Sequence, residues 1–306
     1  MKNTPAKFKN QVSEISESVL GKKAKRIRKI ETFGDVNEVY FVEADSNKYV
    51  FRLNNDRGFD EFSKEKWCME QATKVGIPTT SVLEMGDYKG ISYMIQPYIE
   101  SVNGSEFPDK EKLWHSLGVY AKKCHGIAVS GWGESLFDSV NGTFRDSWER
   151  YVNYNIESLN PNDKLIEMGL FNIQQSQKLK GVFIKVLDMK FNFGLCHGDI
   201  SPKNSIVDNK GKVWLIDWGS AHAHVIPHYE FSYILGRKGL KTNSKLFKEF
   251  LNGYRMTLAE FKRLEPELDI LRVLFATDKL RWAIDRKPQQ IKKFTNLLKE
   301  VLPFVL

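Results

Sequence analysis

Apolar residues at Phe8, Val12, Ile15 and Val19 recur at spacings of four, three and four, which draws one helix face over residues 6–20, stopped by Gly21. The period then falls to two. Residues 26–33 read as a strand, and in 38–44 Val39, Phe41 and Glu43 alternate with Tyr40, Val42 and Ala44. After the Asp45-Ser46-Asn47 turn, residues 48–53 return as a third strand. Phe62, Cys68, Met69 and Ala72 restore near-helical spacing over 59–75, and Gly76 with Pro78 ends it. Short strands at 81–84 and 91–97 flank a turn at 86–90. Residues 1–97 thus predict a small antiparallel sheet carrying a crossing helix.

After Tyr98 the pattern turns helical, over 110–127, 148–159, 173–191, 244–257 and 268–286. One β-type piece interrupts it: residues 204–216 hold two short strands around a turn at 208–211. A sheet-bearing unit of 1–97 followed by a helical unit of 98–306, hinged near 96–100, is an α+β arrangement.

Composition narrows this only slightly. The chain has 306 residues, 42% of them hydrophobic and 27% charged, enough for one large domain or two modest ones. Residues 1–10 lack the apolar core of a signal peptide, and no run of about 18 apolar residues predicts a spanning helix. Three cysteines without metal-type spacing suit reduced thiols in a cytoplasmic protein. The +8 charge gathers in residues 21–29, 238–248 and 292–293. Without interleaved aromatics or a helix-turn-helix or zinc-finger pattern, it reads as solvated surface, and no nucleic acid, membrane or obligate protein partner is expected.

The candidate chemistry lies in His197-Gly198-Asp199-Ile200-Ser201-Pro202-Lys203-Asn204, followed by Trp214-Leu215-Ile216-Asp217-Trp218-Gly219. Phosphoryl transfer needs in-line positioning, oxygen ligands for Mg2+ and a group that accepts the hydroxyl proton. Asn204 and Asp217 suit the ligand role and Asp199 the proton acceptor, and the turn at 208–211 would fold them together. His197 suits an orienting residue that hydrogen-bonds backbone near Asp199 or Asp217. A zinc reading of His222, His224 and His228 finds no cysteine or carboxylate at metal-site spacing. No Walker or Rossmann glycine pattern occurs.

This block resembles the catalytic region of the aminoglycoside phosphotransferase and choline kinase superfamily, relatives of the protein kinases. The likeness extends over residues 25–290. Gly34-Asp35-Val36-Asn37-Glu38-Val39-Tyr40 is similar to the nucleotide-covering loop, and Tyr49-Val50-Phe51-Arg52-Leu53 to the third strand with its phosphate-contacting base. Glu65 matches the glutamate that pairs with that base, and Leu117-Gly118, Cys124-His125-Gly126 and Gly131-Trp132-Gly133 match the stretch after the hinge. Trp148 and Tyr151 fit an aromatic pair of the helical insert. The resemblance implies a protein-kinase-like two-lobed fold and a Mg2+-dependent kinase using ATP or GTP on a small-molecule hydroxyl. It places Gly34, Asn37, Arg52 and Glu65 on the nucleotide, Met94 in the adenine pocket, and Gln96 and Tyr98 as backbone partners at the hinge.

Two positions depart from the family pattern. Arg52 stands where lysine is usual, which leaves a catalytically idle nucleotide-binding module as the alternative. Glu230 stands where an aspartate commonly opens the segment after the metal aspartate. The acceptor site the resemblance implies would draw on Glu230, Asp278, Trp282 and Asp285. On the helix of 268–286, Asp278 and Asp285 fall about 20° apart. The +8 charge works against long-range attraction of a polycation, so a neutral macrolide or sugar alcohol is as credible as an aminoglycoside, whose modification would confer antibiotic resistance.

Overall fold

The computed structural model describes residues 8–31, 37–54, 58–237 and 240–306. It opens with α1 (Lys9–Leu20), β1 (Ala24–Ile30), β2 (Glu38–Ala44), β3 (Asn47–Asn54), α2 (Gly58–Lys74), β4 (Glu84–Tyr88) and β5 (Ile91–Pro97). The strands form one antiparallel sheet in the order β1-β2-β3-β5-β4. Its two faces follow from the period of two along each strand. Tyr93 and Ile95 of β5 join Phe8, Val12 and Ile15 of α1 in one core, whereas Met94 between them joins Phe62, Cys68 and Met69 of α2 in another.

The second half contains β6 (Ser101–Asn103), α3 (Lys110–His125), β7 (Trp132–Asp138), β8 (Thr143–Asp146), α4 (Trp148–Ser158), α5 (Lys164–Glu167), α6 (Ile173–Asp188) and β9 (Asn192–Cys196). Next come β10 (Ser205–Asp208), β11 (Val213–Leu215), β12 (His222–Ile226), α7 (His228–Arg237), α8 (Lys245–Tyr254), α9 (Leu258–Arg286) and α10 (Ile291–Val301). The helices expected here are present. A single β-type piece is not what is found, because β6 pairs with β10 and β12 lies between β7 and β9. These strands escape a periodicity reading because they are short and, in β7 and β8, broken by register shifts.

Two boundaries also move. β4 begins at Glu84 rather than running over 81–84, which tightens the hairpin to Lys89 and Gly90, both at positive φ (52° and 78°) as a two-residue turn requires. α9 starts ten residues early because Thr257 and Glu260 form a capping box, and Pro266 is carried inside the helix at the loss of one backbone hydrogen bond.

Three pairings position the catalytic segment. β9 and β12 align Cys196 with His222, and β10 and β11 align Ser205 with Leu215, so Asn204 and Ile216 become neighbours. Helices α3 and α8 support this arrangement by crossing through two glycines. A Cβ at Gly118 would meet the Phe250 carbonyl oxygen at 2.0 Å, and one at Gly253 the His115 carbonyl oxygen at 1.9 Å. Gly118→Ala should therefore force the helices apart and lower unfolding free energy by about 2 kcal/mol in urea denaturation, although alanine is the better helix former.

Candidate active site

Residues 197–204 form a loop whose backbone groups are tied into place. His197 Nε2 donates to the Ile216 carbonyl at 3.0 Å, and its Nδ1 accepts from the Asp199 amide at 3.3 Å. Those two bonds require the neutral tautomer protonated at Nε2. Asn204 Nδ2 donates to the Asp199 carbonyl at 3.0 Å, and the Ile216 amide donates to the Asn204 carbonyl at 3.0 Å. With Nδ2 so engaged, the Asn204 side chain keeps its oxygen as the group a cation would use. Gly198 is needed on two counts: its φ is 82°, and a Cβ would lie 2.1 Å from the Ser220 carbonyl oxygen.

The Asp199 carboxylate is held from both sides. Oδ1 accepts from the Tyr233 hydroxyl, and Oδ2 lies 3.5 Å from Lys203 Nζ. Asp217 follows β11 in a left-handed conformation (φ 63°), with its side chain 56% exposed. A half-exposed carboxylate beside an amide oxygen is a hard-oxygen set that fits Mg2+.

Asp217 is tied back to the sheet. Arg52 on β3 grips Glu65 of α2 in two-pronged fashion, Nη1 to Oε2 and Nη2 to Oε1 at 3.1 Å, and Nη2 lies 3.7 Å from Asp217 Oδ1. Burial pushes the Glu65 carboxyl up and Arg52 pulls it back. The guanidinium stays charged because Glu65 and Asp217 outweigh the burial that opposes its charge. Beside Glu65, Lys64 Nζ donates to the Gly219 carbonyl at 2.8 Å. Met94 Sδ lies 3.9 Å from Arg52 Nη1.

Glu230 does not reach an acceptor, which corrects the expectation drawn from its position. It is fully buried, and Oε1 accepts from the Gly198 amide at 2.7 Å, so it props the loop from beneath. Its other oxygen points into a sealed space near His125 Nε2 and Cys196 Sγ, with ligand atoms within 4.8 Å of one another. Burial raises the Cys196 thiol well above its usual range and keeps it protonated, so this trio is a poor cation site.

The other acceptor candidates do not converge. Asp278, its carboxyl raised by burial, hydrogen-bonds Asn155 at 3.5 Å and Tyr151. Asp285 is exposed and pairs with Lys164 at 2.9 Å, and Trp282 packs against Phe294. At the hinge, the Tyr98 amide is spent on the Lys48 carbonyl at 3.0 Å, so it is not an open donor. The Gln96 side chain bonds Thr80 at 2.8 Å, and Asn37 accepts from Asn54 at 2.9 Å. Gly34 lies outside the described residues. The three histidines disperse: His222 to the Ser220 carbonyl, His224 to the Val225 amide, and His228 to Glu267.

A profile of the phosphotransferase enzyme family matches residues 31–274. The chain belongs to this family. It is 23% identical over 199 residues to a Staphylococcus aureus protein named "Probable ketoamine kinase", covering 60% of this chain and 65% of that relative, under two thirds of its length. Among solved structures, the aminoglycoside phosphotransferase APH(4)-Ia is 16% identical with a TM-score of 0.69, covering 97% of this chain and 99% of its own. A thermostable mutant of that enzyme, in ternary complex with AMP-PNP and hygromycin B, gives 0.68 at 17% identity over 96% and 98%. Spectinomycin phosphotransferase APH(9)-Ia, in complex with ADP and spectinomycin, gives 0.60 at 17% identity over 97% of each chain. At these identities the structures show the fold, a two-lobed kinase-like α+β architecture.

Sequence reasoning missed three contacts of this phosphotransferase site. Lys203 stood inside the quoted motif without a role, Lys64 next to Glu65, and Tyr233 on a helix that had not been drawn. The i, i+4 spacing of Tyr229 and Tyr233 was the available signal for one aromatic face on α7.

Two predictions follow from the buried groups. Glu65→Gln should cost about 3–5 kcal/mol in denaturant unfolding, because Arg52 is left charged and uncompensated. Burial raises the Glu230 carboxyl to about 7, while the bond from Gly198 opposes that rise. The folded state therefore holds a proton that the unfolded chain releases above about 4.5. Glu230 thus contributes stability that is full below pH 4.5 and is lost as pH rises through 7. Glu230→Gln should remove up to about 3 kcal/mol of that pH dependence, read as the difference between urea unfolding curves at pH 5 and pH 8.

Proposed function

We propose that this phosphotransferase is a kinase that moves the γ-phosphoryl group of ATP or GTP to a hydroxyl of a small molecule. The sheet-bearing lobe of 1–97 holds the nucleotide and the lobe of 98–306 carries the transfer loop and the acceptor. The observation that carries the reading is the convergence of Asp199, Asn204 and Asp217 through bonded backbone, with Arg52 reaching Asp217 from the sheet.

In this reading Asn204 and Asp217 hold Mg2+, which when bound neutralises charge on the transferring phosphates. Asp199 accepts the acceptor hydroxyl proton, and the Tyr233 hydroxyl orients its carboxylate. His197 keeps the Asp199 amide and the strand before Asp217 in register without titrating in the reaction. Arg52 keeps the fork to Glu65 that a phosphate-gripping base needs, which favours an active enzyme over an idle module. AMP-PNP, ADP, hygromycin B and spectinomycin in the structural neighbours support a nucleoside triphosphate and a hydroxylated acceptor here. Because Asp278 and Asp285 do not form a joint acidic wall, a neutral or singly charged acceptor suits this chain better than a polycation. No helix among the described residues is long and apolar enough to cross a membrane, and we place the protein in the cytoplasm.

Purified protein incubated with Mg-ATP or Mg-GTP and panels of sugars, aminoglycosides, macrolides and choline-like alcohols should yield one phosphorylated class by mass spectrometry. Asp199→Ala should then lower turnover at least ~10²-fold while nucleotide affinity stays near wild type. Unchanged turnover would remove Asp199 from the base role.

A further inference from the structure

Lys203 has no role in the scheme so far, yet its ammonium lies 3.5 Å from Asp199 Oδ2, on the side of the carboxylate opposite the Tyr233 hydroxyl. Its side chain is 34% exposed, against 18% for Asp199. It therefore stands on the open side of the loop. The backbone carries it there by design of the turn: residues Pro202–Asn204 form a single 3-10 turn, started by a proline and closed by the Ser205 amide on the Pro202 carbonyl. That turn also fixes Asn204, so the ammonium, the metal-binding amide and the proton acceptor are set by one rigid piece of chain.

We propose that Lys203 is a catalytic residue that transfers its ammonium from Asp199 to the moving phosphoryl group during the reaction; this rests on the kinase reading above. In the resting enzyme the cation is attracted to the ionised Asp199. When the acceptor oxygen attacks the γ-phosphorus, its O–P bond forms as the bond from phosphorus to the bridging oxygen breaks. The electron pair of that bond leaves on the nucleoside diphosphate. The hydroxyl proton passes to Asp199, whose charge is thereby lost, while Lys203 remains protonated. The attraction that holds the ammonium on Asp199 then fades as charge spreads over the equatorial phosphoryl oxygens next to it. A flexible four-carbon stem lets a point charge make that short move, which a fixed guanidinium fork would make less readily.

The test uses hydrolysis of Mg-ATP to water as the probe reaction, with affinity for the fluorescent analogue mant-ATP measured alongside. Lys203→Met should lower kcat at least ~10-fold, with the mant-ATP Kd within about threefold of wild type and the thermal midpoint retained. Lys203→Arg should recover most of the rate, because it restores the charge. Three results would overturn the proposal: a Lys203→Met kcat within twofold of wild type, equal loss in the Met and Arg variants, or a rate loss matched by weaker nucleotide binding. If wild type and Asp199→Ala hydrolyse ATP at the same background rate, the kinase reading falls and this inference falls with it. If they differ and Lys203→Met behaves as wild type, only the inference falls.

Discussion

A guanidinium and a carboxylate removed from water together are the constraint on which the rest of the site depends. Arg52 and Glu65 each lose hydration on folding, and neither charge is tolerable there without the other. Arg52 is fixed by the β3 ladder and Glu65 by α2, so the pair dictates how the helix lies on the sheet. Asp217 then takes its orientation from the same guanidinium, and Lys64 fastens the next carbonyls of that segment to α2. One electrostatic requirement thus sets three elements from distant parts of the chain relative to each other.

The transfer loop follows a different logic. Its side chains are placed mostly by backbone satisfaction: an imidazole, an amide and a buried carboxyl each close a peptide group that would otherwise be buried unpaired. This leaves Asp199 and Asp217 free of structural duty at their carboxylates, apart from the polar neighbours that aim them. Rigidity of the loop and openness of its reacting groups are therefore compatible.

The sequence made the reacting residues legible because Asp199, Asn204 and Asp217 sit within one short stretch whose spacing is fixed by a tight hairpin. Arg52 and Glu65 were legible through the alternation of β3 and the helical period of α2. What could not be read depended on burial across the fold. Glu230 looks like a neighbour of the site by position, but α7 turns it inward beneath Gly198. Asp278 and Asp285 share a helix face, yet that face meets Tyr151 and Asn155 at one point and Lys164 at the other. Charge complementarity between elements has no signature in local periodicity, so the partners of Lys64, Lys203 and Tyr233 stayed hidden.

The two faces of the N-terminal sheet belong to different cores. The α1 face closes on itself, whereas the α2 face runs without interruption into Leu113, Trp114 and Leu117 of α3. Trp67 reinforces that continuity by donating from Nε1 to the Ser139 carbonyl at 2.7 Å, and Lys123 by reaching back to the Gly76 carbonyl at 2.8 Å. The line along which this protein can yield thus runs through the plane of the sheet rather than across the connection near residue 98. A partial opening would shed α1 as its own cooperative unit and leave α2, with the charge pair it carries, attached to the catalytic half.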